Sequence, residues 1–444
     1  MNSQLNRRTF LSTTATAFSA LVLSGCRTAG SGAGAHNAAE VYGALVPDPN
    51  GLLDLPEGFS YRLISTLGQR MSDGGTVPDR ADGMGCLTLN DEEIVLIRNH
   101  ELKAHHDAGG KLALGYGTKD GQVLPGGTTH IVLDARTAEV KREFRSLSGT
   151  IENCSGGITP WGSWLTCEET VAGKGLDIED GTGLEQVHGW VFEVPADATG
   201  PIDPVPLKAM GRFNHEAACV DPKTGIVYQT EDRDDSVLYR FIPAVSGDLA
   251  QGGTLQAMRI KGVSDTRNWD TVSMTVGQRF EVEWDTLDDV ESLKDDLRYR
   301  ASRRGAAIVA RGEGIHMGED EIFVCATSGG AIRHGQVFKL IPGRGERPDT
   351  IELFFESTDP DQFDYGDNVT VGPNGHLIVC EDQGSLIVDN YLRGITAEGR
   401  VYPFARLRVQ TELAGGCFSP DGKWFFVNAY SPTRTFAITG PWAA

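Results

Sequence analysis

The sequence predicts an all-β fold, a six-bladed β-propeller with loop and short helical insertions. Two observations carry this prediction. Short β segments separated by Gly, Pro, Asp and Asn turns run through the chain. Six of them end in polar or acidic residues: residues 94–101 (IVLIRNHE), 164–169 (WLTCEE), 226–232 (IVYQTED), 322–328 (IFVCATS), 377–382 (LIVCED) and 425–430 (FFVNAY). Six strands finishing in acid or other polar groups would supply one polar strand end per blade to a shared channel mouth. A parallel α/β fold is disfavoured, because the chain lacks alternating helices. The spacing of the six segments is irregular, which points to insertions between blades.

The elements fall in order along the chain. Residues 1–25 read as a twin-arginine lipoprotein signal: Arg7-Arg8 followed by Phe10-Leu11, then an uncharged apolar stretch too short to span a bilayer. Leu23-Ser24-Gly25-Cys26 matches a bacterial lipobox, which makes Cys26 the expected lipidation site. Residues 26–45, rich in Gly, Ala, Ser and Thr, read as a flexible tether, and 46–444 as the propeller. The longest insertion spans about residues 269–304, with a helix expected over 285–304, where acids lead and basic residues close. Phe418-Ser419-Pro420-Asp421-Gly422-Lys423 reads as a tight turn between two strands.

The formal charge is −21 over 444 residues, and removal of the signal, which carries Arg7 and Arg8 and no acid, makes the chain more acidic still. Such a surface disfavours nucleic acid as a partner and suits a protein that holds cations. The membrane is expected to be engaged through the N-terminal lipid only, with the protein a monomer in the cell envelope, periplasmic or anchored to the outer membrane. Eight cysteines are present, but there is no close C-x-x-C pair, and a substrate of folded export assembles in a reducing compartment. A disulfide framework is therefore not expected.

The phosphate-loop and nucleophile-elbow motifs are absent. What remains is a set of carboxylates beside Gly, Asn and His at strand ends: Asp82, Glu101, Glu168, Glu169, Glu216, Glu231, Asp232, Glu313, Asp367, Glu381 and Asp382. Glu168 and Glu169 are adjacent, so only one can face a channel from a strand. Carboxylates converging on one axis repel unless protonated or bridged by cations, and hard oxygen ligands suit calcium or ferric iron.

Several motifs then resemble the PhoX-type alkaline phosphatases, in order along nearly all of residues 50–443. They are Gly126-Gly127-Thr128-Thr129, Asn153-Cys154-Ser155-Gly156-Gly157-x-Thr159-Pro160-Trp161-Gly162, Thr166-Cys167-Glu168-Glu169 and Gly211-Arg212-Phe213-x-His215-Glu216. Arg311-x-Glu313-Gly314, Asp367-Asn368-Val369, Glu381-Asp382 and Gly440-Pro441-Trp442 follow. The resemblance implies a propeller with an iron (Fe3+) and calcium (Ca2+) cluster in its channel that hydrolyses small-molecule phosphate monoesters. Carried onto this sequence, it implies metal ligands at Cys154, Glu169, Glu216, Asp232, Glu313, Asp367, Asn368 and Glu381. Clustered cations would bind phosphate oxygens and activate an attacking oxygen. Arg311 is expected either to grip a phosphate oxygen or to form an ion pair with a channel carboxylate; Arg98 or His100 would steady the leaving group. The chain departs from the family near its last strand: members commonly carry a Gln and a Pro-Gly turn after the Asn, whereas here Asn428-Ala429-Tyr430-Ser431-Pro432-Thr433 stands. That departure bears on the rim of the pocket. Two other readings of a cation-holding propeller are a calcium-dependent lactonase or arylesterase and a non-catalytic surface-binding propeller. Cys154 separates the phosphatase from the lactonase, because a calcium-only site does not call for a thiolate.

Overall fold

The computed structural model describes residues 41–176, 183–382, 388 and 390–442. The signal, Cys26 and most of the tether lie outside the described residues. Those described belong to one compact unit, and none of their helices is long and apolar enough to cross a membrane.

The fold is all-β and propeller-like, built on strands Ala81–Thr88, Asn153–Ile158, His215–Val220, Gly312–Met317, Gly366–Val371 and Leu413–Phe418. Each lies at the edge of an antiparallel sheet, with His215–Val220 and Gly312–Met317 at the two edges of one, and pairs with the strand that follows it in sequence. Each also packs against the corresponding strand of the sheets before and after it, and Leu413–Phe418 packs back on Ala81–Thr88 to close the ring. All six predicted polar-ended segments are second strands, from Glu93–His100 to Trp424–Ala429. Closure is made by chain exchange: Ser60–Thr66, from the N-terminal side, pairs with Arg434–Thr439.

Adjacent inner strands approach too closely for side chains at some positions. A Cβ on Gly157 would lie 1.8 Å from the Ala218 carbonyl oxygen, and one on Gly314 would lie 2.6 Å from that of Asp367. Glycine there is a condition of ring closure rather than of turn formation.

The helix expected over 285–304 shrinks to Leu297–Arg303. Asp285 and Thr286 instead end the strand Arg279–Thr286, which bridges Gly253–Ile260 and Asp349–Glu356 and fuses two sheets into one of nine strands. The segment RFEVEWDT alternates apolar and charged residues, so its period of two overrides the local helical composition. The seven described cysteines are all free, as their setting predicts, and six of them are buried.

Candidate metal centre

Each inner strand carries a β-bulge near its start, in register with the others. The pairing shifts between Ala81 and Met84, Asn153 and Gly156, His215 and Ala218, Gly312 and Ile315, Gly366 and Val369, and Ala414 and Cys417. The first bulged residues are therefore Asp82, Cys154, Glu216, Glu313, Asp367 and Gly415. A bulge re-aims a side chain that a regular strand would hold in alternation, and here it marks the same level of the ring six times. Five of the six positions carry ligand-type side chains.

A second recurrence lies just above this level. The first backbone N–H beyond each second strand donates to the carbonyl of a residue just ahead of the inner strand. The pairs are Glu101 to Arg80 (2.9 Å), Glu169 to Glu152 (2.8 Å), Asp232 to Asn214 (3.3 Å), Thr327 to Arg311 (3.0 Å), Asp382 to Tyr365 (2.8 Å) and Tyr430 to Glu412 (3.1 Å). Four of the accepting residues are non-glycine with left-handed φ: Arg80 (54°), Glu152 (51°), Arg311 (50°) and Tyr365 (48°). Such residues are uncommon and concentrate at functional sites.

These recurrences bring two ligand groups together. The donor atoms of Cys154, Glu169 and Glu216 lie within 4.8 Å of one another, as do those of Glu216, Glu313 and Asp367. Glu216 belongs to both. Cys154, Glu216 and Glu313 are buried, and Glu169 and Asp367 are half-buried. Burial, followed by repulsion from the other acids, holds Glu169, Glu216, Glu313 and Asp367 well above the usual carboxylate range. Burial and the neighbouring Glu216, Glu169 and Asp82 likewise push the Cys154 thiol up. Its Sγ lies 3.3 Å from the His215 carbonyl oxygen. So many crowded acids around one thiol are a donor set that fits cations: metal ions in place of the protons would remove the repulsion and would take Cys154 as a thiolate ligand.

Arg311 ties the carboxylates together. Its Nε and Nη2 donate to Asp232 (2.8 and 3.1 Å), Nη2 to Glu313 (2.5 Å) and Nη1 to Asp382 (3.2 Å). The ion-pair alternative for Arg311 is thus present in the structure. Burial opposes ionisation of Asp232, yet this guanidinium holds its pKa low. Asn368 serves a neighbouring ligand: its amide donates to Asp367 Oδ1 (2.9 Å), and its carbonyl accepts from the N–H of Gly415 in the next sheet.

Three of the expected site residues lie apart from the two ligand groups. Arg98 does not reach the cluster. It is fully buried, pairs with Glu143 (2.8 Å) and donates to Ser65, Thr129 and Thr435. His100 is similarly enclosed, between the Asp79 carbonyl and Thr129. Both lie on the second strand Glu93–His100, ahead of the exit position occupied by Glu101. Glu381 is also excluded from the two ligand groups: its Oε1 accepts from Arg393 Nε (2.6 Å) and from the N–H of Asp364 (3.0 Å). The register shows why. Glu381 pairs with Gly366 as Glu168 pairs with Asn153, and Glu168 is likewise structural, accepting from Ile151, Gly189 and Trp190 N–H and engaging His188. In each sheet the next residue, Asp382 or Glu169, faces the site.

The structure also gathers residues that were not assigned as ligands. Asp82 occupies the bulge position, buried, with its carboxyl pushed well up by burial and by Glu101, Glu412 and Glu313. The Tyr430 hydroxyl donates to Glu101 and accepts from Arg80 Nη1 (2.7 Å). The signal for Asp82 was the Asp-Gly pair at the head of an inner strand; Arg80 and Tyr430 carry no local signal.

Fold and site together define a propeller-like protein with an acidic, thiol-containing cup, of a kind suited to cations, at one end of a ring of strands. Residues 40–141 and 134–433 match the family model described as alkaline phosphatase PhoX. The chain belongs to the PhoX alkaline phosphatase family and is a hydrolase of that class. Among solved structures, it is similar to Pseudomonas fluorescens PhoX in complex with vanadate, described there as a transition-state analogue. The identity is 17%, the TM-score is 0.68, and the match covers 89% of this chain and 97% of that one. A gluconolactonase from Xanthomonas campestris matches at 11% identity and a TM-score of 0.38, over 86% of this chain and 96% of that one. No curated protein matches the sequence.

Proposed function

We propose that this protein is a metal-dependent phosphomonoester hydrolase whose cations sit in the cup formed by the bulged residues. The six inner strands, each with the strands that follow it, are read as six propeller blades, each contributing one bulge and one strand exit to the cup. The observation that carries the reading is the pair of ligand groups sharing Glu216. Cys154, Glu169 and Glu216 offer a thiolate among carboxylates, which suits ferric iron. Glu216, Glu313 and Asp367 offer oxygen alone, which suits iron or calcium. When bound, these ions would supply Lewis acidity toward the phosphoryl group. The chain's own residues set the stage. Arg311 fixes Asp232, Glu313 and Asp382 against one another; Asn368 aims Asp367; burial excludes water from Cys154. The thiol favours this reading over a calcium-only lactonase.

Elemental analysis of the as-isolated protein, with an aryl phosphate assay before and after chelation, tests the reading. Iron and calcium with chelator-sensitive turnover are expected. Absence of iron, or full turnover by Cys154→Ala, would overturn the cluster assignment. Export by the twin-arginine route and anchoring through Cys26 belong to the same reading, on the strength of Arg7-Arg8 and Leu23-Ser24-Gly25-Cys26. Release of a Cys26→Ala protein from the membrane fraction is the expected outcome.

A further inference from the structure

Two guanidiniums stand at equivalent places on the ring, and only one is occupied. Arg80 and Arg311 each accept, through the backbone carbonyl, the N–H that leaves a second strand, and each has a left-handed φ. Their inner strands, Ala81–Thr88 and Gly312–Met317, have two inner strands between them on either side of the ring, so the two arginines stand opposite one another. Arg311 spends its donors on Asp232, Glu313 and Asp382. Arg80 forms no carboxylate ion pair among the described residues. Its single side-chain hydrogen bond runs from Nη1 to the Tyr430 hydroxyl, and its guanidinium lies over the same ring, 5.3 Å from the centroid. Its Nε and Nη2 make no side-chain hydrogen bond among the described residues, and the residue is half-buried.

The surrounding structure holds Arg80 in this state. Asp79, next to it, accepts from Ser431 Oγ (2.8 Å) and Thr433 N–H (2.9 Å). Ala81 N–H reaches Tyr430 O (3.2 Å) and Thr433 Oγ1 (3.0 Å). Tyr430 in turn is fixed by donating to Glu101. Tyr430 occupies the segment where the sequence departs from the family pattern, so this arrangement belongs to this chain. The carboxylates of Glu101 and Asp79 act on Arg80 only through space, without a direct ion pair, and a guanidinium with a rigid base and Nε and Nη2 uncommitted is matched to an oxyanion.

Resting on the phosphatase reading above, we infer that Arg80 is a further anion-binding residue of the site, contacting the phosphoryl group of the ester and of the product phosphate, with Tyr430 as the positioning residue that holds its fork. Phosphate would then be received between the cations and Arg80, on the side of the ring away from Arg311. Lysine at this position would keep the charge and lose the fork.

The test uses metal-loaded full-length protein and inorganic phosphate as the probe, by calorimetric titration, together with aryl phosphate kinetics and metal content. Arg80→Gln is expected to weaken phosphate binding about 10- to 100-fold and to raise KM in parallel. Metal content is expected to stay the same, and Arg80→Lys to recover only part of the loss. Tyr430→Phe is expected to weaken phosphate binding and raise KM about 3- to 10-fold, with kcat little changed. Unchanged phosphate affinity in Arg80→Gln, alongside a wild-type enzyme that turns over, overturns the role of Arg80 and leaves the phosphatase reading intact. Wild-type protein that binds phosphate through Arg80 yet hydrolyses no ester upholds the role and overturns the phosphatase reading. Loss of metal in Arg80→Gln overturns the role in favour of a purely structural one, and failure of wild-type protein to bind phosphate at all overturns both.

Discussion

At the bulge, the inner strands present Asp82, Cys154, Glu216, Glu313 and Asp367. Two to four residues beyond the bulge the six inner strands present Met84, Ile158, Val220, Ile315, Val369 and Phe418 around a cavity of about 600 Å3. One tube of strands thus holds an acidic cup at one end and an apolar bore at the other. The extra residue at each bulge resets the side-chain alternation, so a single local device, repeated six times, separates the two environments. The acidic end strains the fold: its carboxyls are buried and crowded. The apolar end stabilises it by ordinary burial. The two ends should therefore answer differently to mutation, pH and metal removal.

The largest difference is expected at Glu216, which serves both ligand groups. Glu216→Gln should lose metal by elemental analysis and lower kcat/KM for an aryl phosphate about a thousandfold. A variant that keeps its metals and its rate would break the assignment of the cup as the active end. Glu381→Gln is the complementary test within the polar end. It leaves the buried Arg393 without its carboxylate, so denaturant unfolding should show a loss of about 3 kcal/mol, while metal content stays constant. A Glu381 variant that loses metal instead would restore it to the ligand set.

Much of this was legible in the sequence. The second strands announced themselves because a run such as Leu377-Ile378-Val379-Cys380 is contiguous and apolar before it meets acid. Cys154, Glu169, Glu216, Glu313 and Asp367 were legible through the motif resemblance and are brought together. The inner strands were harder to see. ADGM, NCSGG, HEAA, GEGI, GDNV and AGGC share small residues and no hydrophobic period, because ring closure forbids side chains where they touch. Arg98 and Glu381 were misplaced for a related reason: strand-end residues alternate in facing, and only the register shows which one exits toward the cup. The parity argument that separated Glu168 from Glu169 applies equally to Glu381 and Asp382.

The pH response sharpens the comparison further. Burial, then mutual repulsion, raises Asp82, Glu169, Glu216, Glu313 and Asp367 in the folded metal-free protein. Glu101, moved mainly by burial, rises from 4.5 to about 7. A carboxyl with a raised folded pKa contributes stability that is complete below its unfolded value and is lost as pH rises through the folded one. The metal-free protein should therefore lose melting temperature as pH rises from about 4.5 past about 7. The metal-loaded protein should show the opposite trend, because its ligands must be deprotonated to bind. Melting curves with and without chelator across this range check both. A metal-free protein that gains stability over the same interval would show that the cup is not where the acid strain resides.

The smallest effect is expected at the apolar end, and it carries the most information about whether the bulge isolates the two regions. Val220 lies four residues beyond Glu216 on one strand, is 5% exposed, and packs with Leu165, Val191 and Phe241 while lining the bore. Val220→Ala removes two methyl groups from a site whose neighbours are rigid strands, so collapse is limited and the loss should be about 1–2 kcal/mol. If the bulge uncouples the two ends, the metal content, KM and pH profile of the loaded enzyme stay unchanged, because the strand beyond the bulge is anchored by ladder pairing of Ala218, Cys219 and Val220 with Gln229, Tyr228 and Val227. A shift in metal content or KM comparable to that of a ligand variant would mean that packing in the bore sets the geometry of Glu216, and that cup and bore act as one unit.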